Sequence, residues 1–161
     1  MTNKRKKKGS YYETKIAKII KESMQLENYE CKRASASGNE EFEFADIYFT
    51  NPKKYGIVLE CKFHNDWDFR SVWPEVNAKF IGFLEEVDEA YHKYIRVFNR
   101  DPIFCGVVFS KPYYKNFVLT WYNYDIPKII CANKYNSKQL YVYEFISVIS
   151  VLKEIIERRD T

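Results

Sequence analysis

Ala45-Asp46-Ile47-Tyr48-Phe49-Thr50, followed after Asn51-Pro52-Lys53-Lys54-Tyr55 by Gly56-Ile57-Val58-Leu59-Glu60-Cys61-Lys62-Phe63, is the stretch whose reading decides the fold. Its two halves are rich in β-branched and aromatic residues and predict strands over about 44–50 and 56–63. The segment from Asn51 to Gly56 has the composition of a hairpin connection. Side chains alternate along a strand, so Ile57, Leu59, Cys61 and Phe63 form one apolar face and Glu60 and Lys62 point to the other. Val58 and Gly56 are the only other residues on the charged face, which places the two charges at the end of a partly buried strand. A hairpin partner can bring Asp46 beside Glu60.

Outward from this pair, the clearest helix covers 75–98. There Val76, Phe80, Phe83, Leu84, Val87, Tyr91, Tyr94, Ile95 and Phe98 step by three or four, with Pro74 at the start. A first helix is expected from near Ser10, with Ile16, Ile19, Ile20 and Met24 on one face. A last one is expected over 143–158, burying Phe145, Val148, Ile149, Leu152, Ile155 and Ile156. Shorter strands are expected at 29–32, 104–109, 117–122 and 128–131, and 33–43 reads as a loop because of Ser35, Ser37, Gly38 and Asn39. Helix, strands, helix, strands, helix is the order of an α/β fold with a central mixed β-sheet flanked by helices.

The composition narrows the function. A chain of 161 residues with 46% apolar residues suits one domain with a sizeable core. No apolar run approaches the roughly 20 residues of a membrane span, and no signal-peptide pattern opens the chain. The expectation is a protein without a membrane, cytoplasmic or nucleoid-associated, from a cellular or viral genome.

Five of the 26 Lys and Arg residues stand together at 4–8, leaving 21 against 22 Asp and Glu in the rest. A flexible basic arm (1–8) on a near-neutral single domain (9–161) suits a polyanion gripped by its backbone, with Lys6, Lys7 and Lys8 as contacts. The same run equally suits a solvated terminus with no partner. Cys31, Cys61, Cys105 and Cys131 are far apart and form no CxxC pair, so reduced thiols are expected rather than a zinc site or a disulfide framework. With only His64 and His92, Ser/His/Asp or Cys/His catalysis has little to work with, and no glycine-rich nucleotide-binding loop is present.

Two carboxylates and an ammonium at one place have a physical use. Carboxylates offer hard oxygen ligands to Mg²⁺, which keeps waters and accepts phosphate oxygens as further ligands. Metal-assisted hydrolysis of a phosphodiester needs these groups and neither His nor Cys. Structurally, Glu60 and Lys62 could equally be an ion pair at a sheet edge, with Asp46 ending a loop. Glu40, Glu41 and Glu43 are alternative acids, better read as a flexible acidic loop.

Upstream, Ser10-Tyr11-Tyr12-Glu13 fits a capping box. Yet Glu13 at the start of a helix, then Arg33-Ala34-Ser35-Ala36-Ser37-Gly38, then Asp46 and Glu60-Cys61-Lys62 form an ordered series. Over roughly residues 8–64 this series resembles the archaeal-type Holliday junction resolvases of the PD-(D/E)xK nuclease superfamily. The resemblance implies a restriction-endonuclease-like core with Asp46 and Glu60 as metal ligands and Lys62 as the catalytic lysine. Glu13 would be a further acidic member of the site, Ser37 would lie close to the scissile phosphate, and Arg33 and Ser35 would contact DNA. It also implies a homodimer that uses Mg²⁺, with Mn²⁺ as a substitute, to cut branched DNA, and no nucleotide cofactor. Ala45 stands where the superfamily's name has Pro, a position that is not a ligand.

The downstream half has no counterpart in that pattern. A restriction- or repair-type nuclease with the same core, and a non-catalytic DNA-binding module, are therefore the alternatives to a resolvase. Three further sets of residues could face substrate: His64 beyond Lys62, Lys79 on the second helix, and Trp67, Phe69 and Trp73, which could instead build a dimer interface.

Overall fold

The computed structural model describes residues 2–26, 31–33, 46–49, 56–63 and 78–159. In chain order these form α1 (Thr2–Met24), β1 (Cys31–Arg33), β2 (Ile47–Phe49), β3 (Ile57–Phe63), α2 (Ala78–Phe98) and β4 (Phe104–Ser110). They continue with β5 (Phe117–Thr120), β6 (Ile130–Tyr135), β7 (Lys138–Glu144) and α3 (Phe145–Arg159). One seven-stranded sheet has the order β1-β2-β3-β4-β5-β7-β6. Only β3 and β4 run parallel; the other pairs are antiparallel. A parallel pair needs a crossover, and α2 lies on the path between these two strands. The mixed sheet flanked by helices is the restriction-endonuclease-like arrangement expected from the sequence.

Strand alternation sorts the core into two layers. Ile57, Leu59 and Cys61 of β3, with Phe104 and Val108 of β4, pack with Tyr12, Ile16 and Ile20 of α1 and with Val148, Ile149 and Leu152 of α3. Val58 of β3 and Cys105, Val107 and Phe109 of β4 face the other way, onto Phe80, Leu84, Val87, Ala90 and Tyr94 of α2. The spacing of these α2 residues is the 3.6-residue stripe visible in the sequence. β3 therefore has a helix on both faces, which buries Glu60 and leaves Lys62 half-buried. Cys31, Cys61 and Cys105 are buried, Cys131 is exposed, and all four are free thiols. Among the described residues no helix is long and apolar enough to cross a membrane.

Three local expectations fail for physical reasons. α1 starts at Thr2, not near Ser10: Lys and Arg are good helix formers, and the basic run continues the helix backwards. Ser10 thus lies inside the helix, where its carbonyl accepts a 2.9 Å bond from the Thr14 hydroxyl, so Ser10 and Glu13 form no capping box. The sheet also gains β7, a strand absent from the sequence reading. Its turn, Tyr135-Asn136-Ser137-Lys138, has both central residues at positive φ (46° and 66°), the type I′ geometry of a two-residue hairpin without the usual glycine. β7 then runs straight into α3 with no polar break, which is why the last helix was expected two residues early.

Gly56, at the mouth of β3, is required by contact. A Cβ there would run into the Tyr94 ring of α2. Gly56→Ala is expected to destabilise the protein by about 1–3 kcal/mol, the usual cost of overpacking, as measured by urea unfolding. A loss below about 0.5 kcal/mol, the range of a neutral surface change, would show that the ring yields freely.

Candidate active site

Hairpin register builds the site. Ile47 lies opposite Leu59 and Tyr48 opposite Val58, so Asp46, one residue before β2, falls opposite Glu60. The Cys61 backbone N–H donates to Asp46 Oδ2 at 2.8 Å, which fixes that carboxylate beside the strand. Glu60 is only 8% exposed. Its carboxyl is pushed up to about 10, first by burial and then by the charge and the hydrogen bond of Asp46; the Lys62 ammonium offsets this only in part. The physical cause is plain: a carboxyl buried beside a second carboxylate keeps its proton unless a cation sits nearby.

That chemistry fits a hard divalent cation. Asp46 and Glu60 would supply two protein oxygens, a number that suits Mg²⁺ because it retains water and takes substrate oxygens for the rest. Among the described residues no group of three His, Cys, Asp or Glu side chains converges to hold an ion. Asp46 and Glu60 thus stand as a pair of carboxylates, with no third such side chain beside them among the described residues.

Lys62 points to the same face of β3 as Glu60. Its Nζ donates to Glu86 Oε2 of α2 at 3.0 Å and lies 4.7 Å from the centre of the Phe83 ring. Burial works against the ammonium, but the bond and charge of Glu86, with the charges of Glu60 and Asp46, outweigh it and raise the Lys62 pKa. The result is a cation held at a set position rather than a waving surface lysine.

Glu13 approaches from the opposite side of the sheet. The Cys61 thiol is pushed well up by burial and then by the carboxylates of Asp46, Glu13 and Glu60. Tyr12, the neighbour of Glu13, packs its ring 5.1 Å from that of Phe63 and so ties α1 to the end of β3. The fold thus gathers Glu13, Asp46, Glu60 and Lys62 at one end of one strand, across 49 residues of sequence.

Arg33 is paired opposite Ile47, one residue from Asp46, so its backbone borders the site; its side chain is outside the described residues. The backbone of Lys6, Lys7 and Lys8 belongs to α1, and their side chains are likewise outside. Ser35, Ser37, Glu40, Glu41, Glu43, His64, Trp67, Phe69 and Trp73 also lie outside the described residues. Lys79 is exposed; α2 addresses the site through Phe83 and Glu86 instead.

Glu86 was missed because it sits in an acidic run with Glu85, Asp88 and Glu89 that has the look of a solvated face. The signal was its place three residues after Phe83, on the flank of the apolar stripe. From Glu60 a cleft of about 640 Å³ extends along that flank, lined by Glu86, Glu89, Ala90, His92, Lys93 and Arg96. It is acidic where it meets β3 and basic farther along the helix. Glu86 and Lys93 are two helical turns apart, about 10 Å at 1.5 Å per residue.

Residues 4–157 match a protein-family model described as "Phage putative PDDEXK endonuclease". No curated protein and no solved structure matches the chain.

Proposed function

The chain belongs to this family of phage PDDEXK endonucleases; from that membership together with the resemblance of residues 8–64 to junction resolvases, we propose that it is a Mg²⁺-dependent endodeoxyribonuclease that resolves four-way (Holliday) junctions. The observation that carries the reading is the juxtaposition of the Asp46–Glu60 carboxyl pair with a half-buried, oriented Lys62. Acids grouped on a DNA-facing surface would repel phosphate unless a cation sat between them. Nucleases of this superfamily generally use divalent metal ions.

When bound, such an ion lowers the pKa of water and neutralises charge developing on the phosphate. The protein's own groups have distinct roles. Asp46, fixed by the Cys61 N–H, and Glu60, fixed by burial, hold the ligand oxygens in place. Lys62 stabilises the crowded phosphate or orients the attacking water. Glu13 adds negative charge from the far side of the sheet. In the α2 cleft, Lys93 and Arg96 would take the neighbouring phosphates of the same strand, contacts that position DNA without reading its sequence.

Four-way junctions as substrate and a homodimer as the acting form are supported by the resemblance of residues 8–64 to the archaeal-type resolvases. The basic run at 4–8 occupies the N-terminal turns of α1, where the helix dipole opposes positive charge; an anionic partner relieves that conflict. The phage description of the family supports a virus-encoded protein that works inside the host cell.

The test is cleavage of a labelled four-way junction and a matched linear duplex, each with Mg²⁺ and with EDTA. Paired, symmetric nicks on the junction alone, lost in EDTA, are expected. Equal cutting of both DNAs would keep the chemistry and move the function to a restriction- or repair-type nuclease. Binding without cutting in every condition would leave a DNA-binding module.

A further inference from the structure

β4 ends at Ser110, directly opposite Phe63 of β3, so the turn that follows leaves the sheet at the same end as Lys62. Its sequence, Lys111-Pro112-Tyr113-Tyr114-Lys115-Asn116, holds two basic residues and no acid. Tyr113 is 106% exposed and Tyr114 54% exposed, the former more open than any other large side chain described as exposed. Such exposure of a large ring in a Tyr-rich protein, where most aromatic side chains are packed, is what a surface kept for a ligand looks like.

The turn is also built to hold its shape. Ser110 is 2% exposed, and its hydroxyl lies 3.0–3.2 Å from the carbonyls of Lys111, Tyr114 and Lys115, donating to one at a time. Tyr114 N–H donates to Lys111 O, and Lys111 Nζ stands 4.2 Å from the centre of the Tyr114 ring. At the base, Lys115 pairs with Glu144 at 2.9 Å, the Phe145 N–H bonds Asn116 O, and the Tyr12 hydroxyl donates to Asn116 Oδ1 at 3.0 Å. Tyr12 is the same residue that packs on Phe63 and precedes Glu13. The turn is thus tied to α1 and to the junction of β7 with α3. Within it Tyr113 has φ 68°, a left-handed conformation that is strained for a bulky aromatic residue and that puts its ring outward.

We propose that the Lys111–Lys115 turn is a stacking platform for unstacked DNA bases beside the cleavage site. The inference rests on the nuclease reading above and adds the part of the substrate that the turn would select. A ring of this kind gains by stacking on a base of any sequence, and the Lys111 ammonium attracts the adjoining phosphates, while Lys115, paired with Glu144, holds the base of the turn. Bases within a duplex are already stacked on both sides, so the tyrosines can engage only where stacking is interrupted: an open branch point, a flap or a splayed end. The outward Tyr113 ring and the nearby Lys111 ammonium fit nucleic acid better than a flat apolar interface with protein.

The experiment compares wild type, Tyr113→Ala/Tyr114→Ala and Tyr113→Phe/Tyr114→Phe. Their binding to a Y-shaped DNA and to a fully paired duplex of the same sequence is measured by anisotropy in EDTA. A 2-aminopurine next to the fork reports stacking, and cleavage of both DNAs is followed separately with Mg²⁺. Wild type should prefer the forked DNA and quench the probe. The double alanine variant should lose about tenfold or more of that preference, together with the quenching, while the phenylalanine variant keeps both.

An alanine variant with unchanged preference and quenching, in a protein that still cuts DNA, overturns the platform and leaves the nuclease reading standing. A wild type that neither binds nor cuts any of the DNAs overturns both. Conversion of a wild-type dimer to a monomer by the alanine variant, with forked-DNA preference intact, also overturns the platform and assigns the tyrosines to an interface between copies.

Discussion

Glu60→Gln is expected to reduce cleavage by about 10³-fold, the scale of losing a charge interaction at the reacting phosphate, and at the same time to raise the melting temperature of the metal-free protein. The second effect follows from the sign of the Glu60 shift. Its pKa in the folded chain stands at about 10, above the ordinary 4.5, so the folded state binds more protons than the unfolded one. The contribution of Glu60 to stability is therefore complete below about pH 4.5 and declines as pH rises toward 10. Glutamine has nothing to ionise and avoids that decline.

In EDTA at pH 8 the variant should melt a few degrees above wild type, at about 2–4 °C for each kcal/mol relieved in a domain of this size. The gap should close as the pH is lowered to 5. Added Mg²⁺ should raise the melting temperature of wild type, since a ligand that binds only the folded state stabilises it, and should do so far less in the variant. A variant that melts below wild type at pH 8 without metal would show that the carboxyl pair is a structural contact and no cation site. This is the usual conflict between function and stability at a site that must hold like charges together.

The second large effect is expected from Lys62→Met. Methionine fills a similar volume against Phe83, so the fold should be retained while the ammonium is lost. Single-turnover cleavage at saturating enzyme should slow by about 10²–10³-fold, the range found when a preorganised transition-state donor is removed. Binding of the same DNA should weaken by much less, because one cation among many contributes little to affinity. Retained cleavage would reduce Lys62 to the partner of Glu86 in a sheet-to-helix ion pair. The 3.0 Å bond to Glu86 is what makes the strong kinetic effect expected: the ammonium is already oriented before substrate arrives, and little reorganisation is needed during reaction.

Much of this arrangement is legible in single residues. Strand alternation in 57–63 puts Glu60 and Lys62 on one face and Cys61 on the other, and the structure has them so, each against the expected layer. The i, i+3, i+4 stripe of the second helix appears from Phe80 to Phe98, within Ala78–Phe98, while residues 75–77 of the expected span lie outside the described residues. Where local patterns misled, they were ambiguous in kind. Ser-x-x-Glu is compatible with a cap and with the interior of a helix, and the Lys-rich run before it decided the matter. Asn136-Ser137 adopts a hairpin turn that glycine would have advertised.

What the sequence by itself determined is the chemistry available: an Asp, a Glu-x-Lys strand and an upstream Glu, in an α/β chain with almost no histidine. These follow from residue type and from periodicities of two and 3.6, which any local stretch of chain displays. Only the tertiary structure decided which other groups meet them. Glu86 reaches Lys62 across 24 residues, and Asn116 reaches Tyr12 across 104. Such pairings depend on the order of strands in the sheet and on which helix covers which face. Those choices are made by burying the whole apolar surface at once, and no window of sequence contains them.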